Sequence, residues 1–530
     1  MERLSNLAGR LAPYAAAVFL VVPVAAALWF GLTAGGGETW DHVLQNRLVP
    51  YTFTTLAVLA LTAVFILGIA VPAAWLVSAY DFPGRGIFDW ALILPLAMPG
   101  YVMAYAWADL AGVAGPVQSS FRDLTGLSAR DYWFPDIFTT TGLAFILAST
   151  LFPYVYITAR AAFTNQSLAT LEAARSLGAS GARLFLSVAL PSARPAIVAG
   201  LALALMEAAA DFGAADFLGI QTLGVGIVRA WSSFGEPATA ARLAVVLVSI
   251  AFLFFFITSL SRGRATNQQT ANRWLTPTRT RLTGQSGWVA SLFCGGILLV
   301  AFFLPITRLV WLLLETGAGT APIVPPLLSS IILGLSGATL AIVCALAIIV
   351  GAKHANATSS FLRLSVAAGY AAPGAVLGLG GLFILSATGQ SLSGVTAIFL
   401  LIGIYASRFT SAGLEPMRAA FERAPISLDY AARSLGASNI KRFTRVDLPL
   451  ILPGVLAGGL ILCVEILKEL PATLMLRPFG WDTLAVRAHA YASDERLAEA
   501  TLPSLLITLA GLAPVLLLSW RLSKTGHTIE

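Results

Sequence analysis

Four carboxylates stand inside long apolar runs of this sequence. Glu207 and Asp211 lie in AIVAGLALALMEAAADF, and Glu465 and Glu469 in GVLAGGLILCVEILKEL. Each pair is spaced i and i+4, which sets two side chains on one face of a helix. The second pair follows the first by 258 residues. Ionisable groups in lipid are expensive and mark function unless they are paired. Two symmetric sets of oxygen donors facing one pathway would suit a hard trivalent cation. Contact would be transient, with no stable metal site, because tight binding stops release. The same carboxylates could form structural salt bridges through Lys468 or Arg408, or lie in an outer loop.

Other residue types offer less. Tyr101, Tyr105 and Asp109 follow Pro99-Gly100 at helical spacing, where aromatic packing competes with pathway lining. The four histidines, His42, His354, His489 and His527, show no metal-ligand spacing. His489, near Asp494 and Glu495, is expected in a solvated outer segment. Cys294, Cys344 and Cys463 sit in apolar runs without a CxxC pair, so they read as small buried residues. A phosphate-binding loop needs Gly-Lys followed by Ser or Thr. The four lysines follow Ala352, Ile440, Leu467 and Ser523, so no such loop exists. No HExxH motif and no Ser-His-Asp set suggests an enzyme.

The elements that must position these residues are membrane helices. Of 530 residues, 57% are hydrophobic and 11% charged, against about a quarter charged in soluble domains. Mean hydropathy is +0.81. Lipid is therefore the solvent for most of the surface. The net charge of +7 fits basic loops and not nucleic-acid binding, since no basic cluster is interleaved with exposed aromatics. Runs of about twenty apolar residues, the length that crosses a bilayer, fall at roughly 11–33, 52–78, 87–112, 139–163, 195–216 and 241–260. A second set falls at roughly 288–314, 328–352, 362–386, 394–416, 453–473 and 500–520. The first run is too long for the core of a signal peptide and reads as a retained span. The expected fold is an all-α membrane protein of twelve transmembrane helices. Its parts are a six-span half over 1–260, a basic cytoplasmic linker over 261–286, and a second half over 287–530. With the N-terminus inside, 22 of the 33 basic residues fall in inner segments and nine in outer ones. The positive-inside bias thus puts both termini in the cytoplasm. Six is even, so the halves are parallel repeats, expected to pack around an axis along the membrane normal with a pathway between them.

The repeat is written in the sequence. AARSLGAS begins at Ala173 and again at Ala431. Over 171–200 and 429–458, fifteen of thirty positions are identical without a gap. MPGYVMAY, around Pro99-Gly100, resembles APGAVLGL, around Pro373-Gly374, each in a third span. The offset there is 274, which leaves sixteen extra residues in the outer loop 113–138. Both octapeptides fall in inner loops between the fourth and fifth spans. They suit a short helix, a turn capped by left-handed Gly178 or Gly436, and a second helix broken at Pro191 or Pro449. Pro195 and Pro453 would then begin the next span. A defined inner loop made twice is a docking surface for a partner with two equivalent sockets.

EAARSLGASGARLFLSVALP (172–191) resembles the EAA loop of binding-protein-dependent ABC importer permeases. Glu172, Ala173, Ala174, Gly178, Val188, Leu190 and Pro191 fit that pattern throughout, and Arg175 lies within it. The second copy keeps Ala431, Ala432, Gly436, Val446, Leu448 and Pro449, with Arg433 inside. It has Tyr430 where the pattern has Glu, and Asp429 beside it. The resemblance covers the whole chain and implies a type I ABC importer permease-like fold. It further implies that each loop's coupling helix docks on one subunit of a homodimeric ABC ATPase on the cytoplasmic face. ATP and Mg2+ would bind that partner, with no cofactor in this chain. A periplasmic binding protein would deliver substrate, and the location would be the bacterial inner membrane. The stretch KELPATLMLRPFGWDTLAVRAHAYASDERLAEA (468–500) is similar to the ferric-iron branch. Thiamine and phosphonate permeases share the fused plan, and an ion-gradient-driven secondary transporter is the rival class.

Overall fold

The computed structural model describes residues 2–164, 166, 172, 174, 176–262, 279–317, 322–352, 359–422, 428, 432, 434–435 and 439–525. Among them, ten helices are long and apolar enough to cross a membrane, or twelve if each of two bent pairs is one span. Large apolar side chains such as Phe53, Leu292 and Phe399 stand exposed along these helices, as a lipid-facing surface requires. Among the described residues, one sheet of two short strands forms: Tyr80–Asp81, between the second and third spans, pairs in parallel with Thr280–Arg281 at the end of the linker segment.

The third span of each half is not the straight helix expected from its apolar run. Arg85–Ala97 meets Gly100–Thr125 at 94°, and Leu364–Ala371 meets Gly374–Ala387 at 106°. The cause is local. Proline offers no N–H and pushes the residue before it out of the helical region. Met98 is accordingly extended at φ −95°, ψ 121°, and Pro99 and Pro373 have ψ of 150° and 147°. A new helix begins at Gly100 and at Gly374.

Prolines act differently in the fifth span. Pro191 and Pro449 do not break the helix, and Pro195 and Pro453 lie inside it. Gly181–Ala210 runs through as one element of 30 residues. The turn before each Leu-Pro widens instead to a π-type turn, at Phe185–Ala189 and at Phe443–Asp447. A wider turn relieves the clash of the proline ring with the carbonyl four residues back and tolerates the missing donor. The fifth-span helices end at Ala210 and Leu467. Asp211 and Glu469 therefore stand just beyond the helix and not on one face with Glu207 and Glu465.

The chain forms two compact units that cut across the sequence halves. One comprises Met1–Arg47, Gly226–Val248 and Thr320–Ala490. In it the first span packs on the later half: Phe30 stacks on Phe383 with ring centroids 3.7 Å apart, and Ser407 Oγ donates to the Leu20 carbonyl. The other comprises Leu48–Val225, Ser249–Gly319 and Tyr491–Glu530. There Gln285–Thr316 and the last helix, Leu497–Thr525, join the earlier half. Ser291 Oγ donates to the Pro83 carbonyl at 2.6 Å, and Arg308 pairs with Asp109. The apolar core of this second unit gathers around Ile66, Phe152, Tyr156 and Leu298.

Candidate functional site: two exposed loops and two capped span ends

Of the first repeated loop, Glu172, Ala174 and Ser176–Ser180 are described, while Ala173 and Arg175 lie outside the described residues. Gly178 adopts φ +84°, and Ala179 N–H donates to the Ala174 carbonyl at 2.9 Å. That is the left-handed helix stop a glycine makes without strain. Gln166 Nε2 ties the loop to the fifth span, donating to the Ala189 carbonyl at 2.7 Å. Glu172 is exposed. Of the second loop, Asp429, Tyr430, Ala431, Arg433 and Gly436 lie outside the described residues, and Ala432 is buried. Leu448 and Pro449 open the helix Leu448–Leu467, as Leu190 and Pro191 open Leu190–Ala210.

Leu177 and Leu435 are the residues the sequence reading passed over. They are repeat equivalents, and they are 86% and 87% exposed. Leu177 is held outward beside the turn capped by Gly178, Leu435 stands exposed at the same place in the second copy, and each is an apolar knob. The signal was present in the octapeptide itself, where Leu is one of eight repeated residues.

The loops are not equivalent throughout. The first half buries Leu184 and Ala189 under its loop. At the matching positions the second half buries Arg442 and Asp447, whose Nε and Oδ2 lie 3.4 Å apart.

At the far end of the fifth span the acids have defined partners. Asp211 Oδ1 accepts from the N–H groups of Ala214 and Ala215 at 3.0 and 3.3 Å, opening the short helix Gly213–Phe217. Glu469 accepts from Ala472 N–H at 3.0 Å and Thr473 N–H at 2.9 Å, opening Pro471–Leu476. Both acids thus satisfy donors that a helix start leaves free. Both also abut the bend of the third span. A Cβ on Gly100 would lie 2.9 Å from Asp211 Oδ2, and one on Gly374 would strike Glu469 Oε1 and Arg408 Nη1. The start of each bent arm carries the positive end of a helix dipole, which favours a carboxylate there. Repeat-equivalent hydroxyls pin the next segment: Leu223 N–H donates to Thr55 Oγ1 at 2.9 Å, and Leu484 N–H to Ser330 Oγ at 2.8 Å.

Here too the halves diverge. Glu469 is buried and pairs with Arg408 at 3.4 Å, while Tyr405 and Thr473 share a hydrogen bond of 2.6 Å beside it. Thr150 stands where Arg408 would in the first half. Glu465 pairs with Lys468 at 3.2 Å. Glu207 is half-buried. The cavity touching Asp211 is only about 10 Å³, room for about one water and none for a hydrated cation.

Tyr101 and Tyr105 are buried and pack together, and Tyr105 packs edge-on against Phe217 at 4.6 Å. Asp109 is taken by Arg308. His489 is buried in the helix Leu484–Ser493, contrary to the expected solvated segment. Among the described residues, no three His, Cys, Asp or Glu side chains gather as metal ligands would.

Two sets of apolar helices, each with a bent third member and a repeated loop before its fifth span, define an all-α, multi-pass membrane protein built twice from one plan. Residues 68–265 and 337–521 each match the family of binding-protein-dependent transport system inner membrane components. The chain belongs to that family, with the fold of a type I ABC importer permease. Both matches begin within the second span of a half, at 68 and 337. It is similar to the Fe(3+)-transport system permease protein FbpB 2 of Haemophilus influenzae, 26% identical over 487 residues, 90% of this chain and 91% of that protein. It is similar along its length to the probable ABC transporter permease protein y4fN of Sinorhizobium fredii, at 25% over 98% of this chain and 96% of that one. The sulfate transport system permease protein CysT of Salmonella typhimurium is 27% identical over 249 residues, 46% of this chain and 87% of its own.

Proposed function

We propose that this chain moves ferric iron from a periplasmic binding protein to the cytoplasm by alternating access. The energy comes from a separate homodimeric ABC ATPase that binds ATP and Mg2+. The termini and both repeated loops are cytoplasmic, in a bacterial inner membrane. The observation that carries the coupling role is the symmetric pair of outward leucines, Leu177 and Leu435. An exposed leucine beside a capped turn is stabilised by about 1.5–3 kcal/mol when a partner's groove covers it. Two such knobs in one chain suit the two sockets of a symmetric dimer. Around them, Glu172, Ala173, Ala174, Arg175, Gly178, Leu190 and Pro191 form the first coupling loop. Asp429, Tyr430, Ala431, Ala432, Arg433, Gly436, Leu448 and Pro449 form the second.

Iron is favoured by the full-length likeness to a ferric-iron permease and by oxygen donors at equivalent places. In this reading Glu207 and Glu465 contact the passing cation, while Asp211 and Glu469 hold the span ends in shape. The test is uptake by the chain reconstituted with its ATPase and binding protein. Radioactive ferric iron should accumulate only with ATP and should persist when ion gradients are collapsed. Uptake of sulfate, thiamine or a phosphonate without iron would overturn the substrate, and gradient-driven uptake would overturn the class. In the L177S/L435S double variant, uptake and ATP hydrolysis should separate while the membrane subunit still inserts. Unchanged uptake would remove the coupling assignment.

A further inference from the structure

The sixteen extra residues of the first half build something the second half lacks. After the bent arm Gly100–Ala111 the chain forms the helix Pro116–Thr125, then returns to the fourth span, which begins at Thr140. The second half turns directly from Ala387 to Gly394. The extra helix is fastened to the end of its span by its polar residues. Gln118 Nε2 donates to the Ala111 carbonyl at 2.8 Å, and Arg122 Nη2 donates to that of Val113 at 2.8 Å. Tyr132 O–H then donates to Gln118 Oε1 at 2.8 Å. The bond to Ala111 satisfies a carbonyl that the end of the helix leaves open.

The helix thus buries a polar side chain, Gln118, while three large apolar ones stand exposed beside Ser120 and Asp123. Gln118 is 6% exposed, whereas Leu124 is 87% exposed. Val117, Phe121 and Leu124 follow at helical spacing along the outward side, and Trp133 stands exposed beside them. In water this ridge would be costly: fully burying a single side chain of this size is worth about 1.5–3 kcal/mol. Both ends of the segment join membrane spans, and the helix is bonded to the last turn of one of them. Its ridge therefore continues the lipid-facing surface at the level where hydrocarbon meets headgroups. Tryptophan, phenylalanine and leucine are the residues that settle at that level.

We propose that Pro116–Thr125, together with Trp133, is an interfacial anchor that lies in the lipid surface. The leaflet is the one at the opposite end of the fourth span from the repeated loop. Its occupant is lipid, not the binding protein. The test uses the full chain in lipid nanodiscs, with Cys294, Cys344 and Cys463 replaced and one cysteine placed at Leu124 to carry an environment-sensitive fluorophore. Arg130→Cys, exposed in the same segment, serves as the aqueous control. The expected result, with no binding protein present, is blue-shifted emission at position 124 and several-fold stronger quenching by shallow nitroxide lipids than at 130. If Leu124→Cys fails to assemble, the label at Trp133→Cys should give the same shift. Water-like emission at both labelled ridge positions in lipid, moving to the blue only when a binding protein is added, would overturn the proposal and make the ridge a protein-docking face.

Discussion

Replacing Arg442 by leucine and Asp447 by alanine puts into the second half the residues the first half already holds at the matching positions. The pair is well buried, with side chains 4% and 8% exposed and 3.4 Å between Nε and Oδ2. At an effective dielectric of about 20, two unit charges at that separation attract by about 5 kcal/mol. Desolvation of both ions offsets much of it, so the net worth of the pair is small. Removing one partner is another matter, because the remaining ion stays buried after losing this counter-charge. Arg442→Leu or Asp447→Ala alone should each destabilise by about 3–5 kcal/mol. The double variant loses only packing, on the order of 1–2 kcal/mol for the smaller side chains. The double should therefore be more stable than either single, and these figures give a coupling of about 4 kcal/mol or more. Native Cys294 and Cys344 are buried, so a thiol-reactive dye reads thermal unfolding without an added label. If the double variant melts no higher than the worse single, or if Arg442→Leu changes nothing, the charge-pair argument is wrong.

The capped span ends should respond unequally. Asp211→Ala loses a helix cap, costing about 1 kcal/mol. Glu469→Gln removes the carboxylate that buried Arg408 pairs with and should lower the melting temperature further; equal shifts would sink that contrast. At the bends, Gly374→Val should prevent stable assembly, since a Cβ there meets Glu469, Arg408 and Pro471. Gly100→Ala, which meets chiefly the end of one Asp211 carboxylate, should assemble with reduced stability, and membrane yield in detergent extracts separates the two. In transport, Glu207→Gln with Glu465→Gln should slow iron uptake while leaving complex assembly intact. Failure of assembly instead would make those carboxylates structural.

Much of this was legible in one dimension because it is local. Apolar runs fix helices of spanning length, since lipid leaves the backbone no other partner than itself. Pro99 and Pro373 fix the bends, although their sharpness was not anticipated, because apolarity alone reads straight through a proline. The octapeptide fixed the two loops, and Gly178 the turn in the first. The widened turns before Pro191 and Pro449 were misread as breaks, because a helix can absorb a proline by changing its hydrogen-bond ring.

The sequence by itself determined that the chain is a membrane protein written twice, with matched loops and matched acids near the ends of its fifth spans. Only the tertiary structure decided what those parts meet. It placed Asp211 and Glu469 as caps against the bent spans, and it paired Glu469 with Arg408, where the first half carries Thr150. It assigned the first span to a unit otherwise built mostly from the later half, and it left Val117, Phe121 and Leu124 exposed on the extra helix while burying Gln118. Periodicity and composition record what each residue prefers as a solvent. They do not record which of several apolar neighbours will supply it, because side chains hundreds of positions apart choose among surfaces of nearly equal hydrophobicity by shape and by the few charges that must be paired.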